Sequence, residues 1–171
     1  MTDTAGQPAA AGYSGTPLAR KLGVKPGHRV LLIRAPVGWT IPDLPPDVTV
    51  TRRTTASQRT AASQRTAASQ RTTAAPAEAE TAADMAAEVI VVFCRSHRDL
   101  ARDRTDLTSR LPAASSLWIV WPRRAAGHSS DITENDLRAL LLPAGVVDVK
   151  VAALDHDWSG LKFVWRKTMR P

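Results

Sequence analysis

Three dense apolar runs stand out along the chain: "HRVLLIRA" (His28–Ala35), "EVIVVFC" (Glu88–Cys94) and "SSLWIVWP" (Ser115–Pro122). Runs this short and this continuous predict strands of a parallel sheet buried on both faces, and Pro122 ends the last of them. "DVTVTRR" (Asp47–Arg53) is shorter and more polar, which predicts a strand near an edge. Towards the end, "VVDVKVAAL" and "LKFVWRK" alternate apolar and polar residues on either side of "DHDWSG", the pattern of a hairpin.

Between the strands the spacing turns helical. "GTPLARKLG" predicts a short helix with Thr16 as N-cap, Pro17 at the first helical position and Gly23 as its stop. "PAEAETAADMAAE" (Pro76–Glu88) opens on proline and acids and is rich in alanine, which favours a helix. "SHRDLARDRTDLTSRL" is capped by Ser96 and sets Leu100, Leu107 and Leu111 near one face. In "DITENDLRALLLPAG", Thr133 is the N-cap, Asp136 the third helical residue, and Leu137, Leu140 and Leu141 the apolar face. Helices alternating with strands predict the α/β class: a mainly parallel sheet of about six strands, helices on both faces and a C-terminal antiparallel hairpin.

Length permits one domain with a real core, and 171 residues leave little room for a second. We expect a disordered N-terminus over 1–12 and a single domain over 13–171, interrupted by a disordered low-complexity insertion at 54–74. That insertion contains "TASQRTAASQRTAASQRT" (55–72), which repeats every six residues. On a helix six residues advance the direction by about 600°, so its arginines form no stripe, and on a strand nothing apolar would cover the other face. Its charge changes how the composition reads. The net charge is +7, yet no acid lies between Asp47 and Glu78, where five arginines stand. Taking those five from the 23 basic residues leaves 18 against 16 acidic ones, so most of the excess sits in one segment. A flexible basic arm that touches nucleic acid weakly is the functional alternative to an inert insertion.

No run approaches the roughly 20 apolar residues of a membrane span, and the first residues lack the pattern of a secretory leader, so a cytoplasmic location with no membrane partner is expected. Cys94 is the only cysteine, which excludes an intrachain disulfide and a cysteine zinc cage. No metal is expected.

Two resemblances enter on quoted residues. "VKPGHRVLLIRAPVGW", followed later by "LPAGVVDVKV" and a last strand returning into the sheet, resembles the frame of class I S-adenosylmethionine-dependent methyltransferases. That frame implies a Rossmann-like sheet with its strands in the order second, first, third, fourth, sixth, fifth. "GYSGTPLARKLGVKPGHRVLLIRAP", "LWIVWPRR" and "LPAGVVDVKVAALDHDWSGLKFVWR" resemble a bacterial domain-of-unknown-function family, number 3052, which implies a small stand-alone domain and no assigned chemistry. The methyltransferase loop pattern is degenerate here. Leu32 stands at the acid, Arg34 and Pro36 at the first two glycines and Gly38 at the third, while Arg52 and Arg53 replace the carboxylate that holds ribose. A leucine accepts no hydrogen bond, an arginine side chain fills the space of close backbone approach, and proline removes an amide. No cofactor is therefore expected.

Cations take the place of that loop. In open parallel sheets ligands bind beyond the carboxyl ends of the strands, and those ends carry Arg34, then Arg52 and Arg53, then Arg95 and Arg98, then Arg123 and Arg124, with Trp39 and Trp121 beside them. The set Arg34, Trp39, Arg52, Arg95, Trp121, Arg123 and Arg124 is the candidate ligand site, suited to an anionic ligand or acidic partner. Cys94, beside Arg95 and His97, is a weaker candidate for a reactive thiol. Asp155, His156 and Asp157 are better read as a turn than as metal ligands, and His28 and His128 as isolated and exposed. The sequence holds no HExxH, no phosphate-cradling glycine loop and no serine, histidine and acid set. The reading is a non-catalytic binding or interaction module. The alternatives are a divergent methyltransferase-like or nucleotide-using enzyme, and nucleic-acid binding through the repeat.

Overall fold

The computed structural model describes residues 15–54, 87–109 and 111–171. The N-terminal segment, the repeat and nearly all of the helix expected over Pro76–Glu88 lie outside the described residues. Ala87 and Glu88, the last two of that expected helix, are not helical and lead into a strand.

In chain order the elements are α1 (Leu18–Leu22), β1 (Arg29–Ile33), β2 (Thr49–Arg53), β3 (Val89–Phe93), α2 (His97–Ser109), β4 (Ser116–Pro122), α3 (Glu134–Leu141), β5 (Val146–Ala153) and β6 (Trp158–Trp165). They form one six-stranded mixed sheet in the order β2-β1-β3-β4-β6-β5. The pairs β1/β2, β1/β3 and β3/β4 are parallel, whereas β6 runs antiparallel to both β4 and β5. The polar β2 lies at one edge, as its composition requires, and β1, β3 and β4 are buried in the middle.

Side chains alternate across the sheet and feed two cores. On one face Leu31, Ile33, Ile90, Val92, Leu117, Ile119, Leu161 and Phe163 meet Leu100 and Leu107 of α2, Leu111, and Leu137 and Leu141 of α3. On the other, Val30, Leu32, Val89, Val91, Phe93, Trp118 and Val120 meet Leu18, Ala19 and Leu22 of α1. Full burial of such a side chain contributes about 1.5–3 kcal/mol each. Trp118 is fully buried, and its indole N–H is satisfied by the Leu22 carbonyl at 3.1 Å, which ties α1 to the sheet centre.

The helix ends follow local chemistry. Ser96 Oγ accepts the Asp99 amide at 3.2 Å. Thr133 and Asp136 form a reciprocal capping box at the start of α3. The start of α1 differs from expectation by one position. Pro17, with ψ 145°, is the N-cap, and its carbonyl accepts the Lys21 amide at 3.0 Å, so Thr16 lies outside the helix. The hairpin is also tighter than "DHDWSG": Trp158, Ser159 and Gly160 already pair with β4 and β5, which leaves Leu154–Asp157 as the connection. Asp155 makes this possible, since its Oδ1 accepts the amides of Asp157 and Trp158, both at 2.8 Å.

Candidate functional site

At the carboxyl end of β1 the chain turns through Arg34, a non-glycine residue in the left-handed region at φ 56°. That conformation costs about 1–2 kcal/mol without compensation. Here the backbone N–H donates to the Arg53 carbonyl at 2.8 Å, and the side chain runs inward across β3. Its Nε donates to the Phe93 carbonyl at 3.0 Å and its guanidinium pairs with the buried Asp103 of α2. A further N–H lies 3.5 Å from Cys94 Sγ. Arg102 reaches the other oxygen of the same carboxylate at 3.1 Å. Arg34 is therefore an internal ion pair bridging β1, β3 and α2.

Cys94 is fully buried beside this pair. Burial pushes its thiol up to about 11 against the opposing charge of Arg34. The thiol stays protonated near neutrality, and the charges that act on it most are those of Arg34, Asp103 and Asp99 rather than of Arg95 or His97.

The other strand ends are arranged differently. Trp39 folds back over the sheet and packs edge-on to Phe93, with ring centroids 4.9 Å apart, and Phe93 packs the same way on Trp158 at 5.0 Å. Trp39 Nε1 donates to Asp155 Oδ2 at 2.6 Å, latching the β1–β2 loop to the β5–β6 hairpin. Arg52 donates to the Trp39 carbonyl. The Arg95 guanidinium stands 5.8 Å from the centre of the Trp158 ring. Arg123 donates to the carbonyls of Asp155 and His156, both at 3.1 Å. Arg124 closes on the Ser130 carbonyl at 3.1 and 2.7 Å.

These partners separate the rim into two kinds of cation. Arg34 meets a carboxylate, which cancels its charge. Arg52, Arg95, Arg123 and Arg124 are held by neutral carbonyls or a ring, and among the described residues they form no ion pair. A guanidinium carries five N–H donors, and each of these arginines retains some beyond its internal bonds.

Of the expected residues, Trp39, Arg52, Arg95 and Arg123 are joined through Asp155 and Trp158. Trp121 is not: it is buried in the core on the face of α2 and α3, across the sheet from Trp39. The residues that sequence reasoning missed are Asp155 and Trp158, the hub of the latch. His128 is exposed but not isolated, because its Nε2 lies 2.8 Å from Asp157 Oδ1, which His156 Nδ1 approaches to 3.0 Å. These contacts hold the Asp157 carboxyl below its ordinary value. His28 Nδ1 accepts the Lys25 amide at 3.2 Å, a local turn contact. Among the described residues no group of three or more histidines, cysteines and carboxylates is placed to hold a metal ion, and no helix is long and apolar enough to cross a membrane.

The chain matches no protein-family model and no curated protein. What fold and site define is an α/β domain carrying arginines held by carbonyls or a ring, and two tryptophans, at the carboxyl ends of its parallel strands.

Proposed function

We propose that this protein is a non-catalytic binding module of Rossmann-like type that takes an anionic ligand, or an acidic partner, on the rim formed by Trp39, Arg52, Arg95, Arg123 and Arg124. The observation that carries the reading is the choice of acceptors. Each arginine is held by a backbone carbonyl or an aromatic ring rather than by a carboxylate. Such anchoring removes much of the side-chain entropy otherwise lost on binding while leaving the charge intact. Arg34, paired with Asp103, lies outside the contact surface in this reading.

A second reading, a divergent methyltransferase-like enzyme, is favoured by one observation. The strand order β2-β1-β3-β4-β6-β5 with an antiparallel β6 is the order that resemblance implies. Against it, Leu32, at the position of the acid, is buried in the core. A thermal-shift screen with nucleotides, S-adenosylmethionine and polyanions separates the readings, repeated on a variant lacking residues 54–74. Stabilisation by nucleotides or polyanions in both proteins supports the rim. Stabilisation specific to S-adenosylmethionine supports the enzyme, and loss of every response with the deleted segment transfers binding to the repeat.

A further inference from the structure

Away from the rim, on the sheet face that carries α1, a second cationic feature is built by a β-bulge. The β5–β6 ladder pairs Asp148 with Phe163, and the regular next pair would set Val149 against Lys162. The register shifts between Asp148 and Lys150, so that Lys150 stands opposite Lys162 and Val149, more than half exposed, becomes the extra residue. Like charges directly opposite each other destabilise a strand pair, and bulges commonly re-aim a side chain at the edge of a sheet.

The third cation comes from the turn that follows α1. Lys25 follows the left-handed Gly23 that ends the helix, and Lys162 Nζ lies over Gly23 itself, 3.1 Å from where a β-carbon would be. Glycine leaves room for the ammonium. Burial and the charges of Lys150 and Lys25 together push Lys162 below the ordinary lysine value. Among the described residues no carboxylate forms an ion pair with any of the three, in contrast to Arg34, Arg102 and Arg138, which all do. Beside them Lys21, from α1, donates to the Ala153 carbonyl at 3.3 Å.

We propose that Lys25, Lys150 and Lys162 form a second anion site, independent of the rim, that receives a phosphate oxyanion between the end of α1 and the β5–β6 hairpin. Ammonium groups are compact point charges with rotatable donors, suited to a phosphate approached from several sides. A dianion there converts three mutually repelling charges into partners and so selects their protonated forms.

NMR titration of the Lys162 side chain tests this, with and without inorganic pyrophosphate. The expected result is an upward shift of the Lys162 midpoint by about one unit, matching about tenfold tighter binding to the charged form. Lys150→Glu is expected to abolish the shift and, by giving Lys162 a cross-strand partner, to raise the thermal midpoint of the free protein. Pyrophosphate should shift Lys162 as strongly in the Arg52→Ala, Arg95→Ala double variant as in the parent, which separates this site from the rim. A single-stranded oligonucleotide in a parallel arm distinguishes sources: a shift with both probes assigns a phosphate group as such, and a shift with the oligonucleotide alone assigns a nucleic-acid backbone. A Lys162 midpoint unmoved by either probe overturns the proposal, as does a pyrophosphate shift retained in Lys150→Glu.

Discussion

Arg34 and Asp103 are 69 positions apart in sequence and form a largely buried ion pair that joins the turn after β1 to the middle of α2. The pair explains how a non-glycine residue persists in the left-handed region at the end of the central strand. Three side-chain hydrogen bonds over-determine its position.

Breaking one half of the pair strands the other in the core. Arg34→Leu is expected to destabilise the protein by about 3 kcal/mol, since among the described residues Asp103 is left buried with only the exposed Arg102 to meet it. Replacing both, Arg34→Leu with Asp103→Leu, should recover most of that loss. Urea denaturation of the two single variants and the double variant measures the coupling, and strictly additive losses would contradict the pairing.

The thiol beneath the pair gives a simpler check. With Cys94 fully buried and its thiol raised to about 11, the folded protein should resist a thiol reagent near neutral pH and react at once when unfolded in urea. Rapid modification of the native protein would show that the β3 end is open.

Lys162 predicts a pH dependence of definite sign. Its folded value lies below the ordinary 10.5, so between the two values the unfolded chain binds more protons than the folded one and stability rises with pH. The destabilisation is fully present below the folded value and disappears as pH climbs to 10.5. Lys162→Met should remove this rise, which parallel denaturation curves from neutral pH upwards would show as a gap between parent and variant that closes at the alkaline end.

The start of α3 rests on the Thr133–Asp136 capping box. Thr133→Ala should cost about 1 kcal/mol. The hydrogen bonds from Thr133 also hold the Asp136 carboxyl below its ordinary value, so this contribution is present above the ordinary aspartate range and is lost as acid protonates Asp136. Chemical denaturation at neutral and acid pH should find the effect of the substitution shrinking in acid.

Much of the scaffold was legible because its signals are local. The apolar runs around Val30–Ile33, Val89–Phe93 and Leu117–Trp121 must be buried on both faces, and they are. The Thr133 box and the Ser96 cap also read directly. The site was less legible because its meaning depends on acceptors brought together by the fold. Nothing near Arg34 announces Asp103, and nothing near Arg52 announces the Trp39 carbonyl. Trp121 could have been placed by parity: two and four residues after Ile119 and Leu117 on β4, it shares their face and not that of Trp118. Trp39, in a loop, offers no such parity. The bulge that sets Lys150 against Lys162 leaves the alternation of "VVDVKVAA" unbroken and shows only in the register.

The most direct test of the rim is calorimetric titration of the parent protein and the Arg52→Ala, Arg95→Ala double variant with ATP, an anion with a ring to stack, at low and high salt. Among the described residues neither forms an ion pair, so the variant should keep its thermal midpoint close to that of the parent. The account predicts binding by the parent that weakens with salt, and at least about a tenfold loss, near 1.4 kcal/mol, in the variant. Equal affinity in the two folded proteins would contradict it.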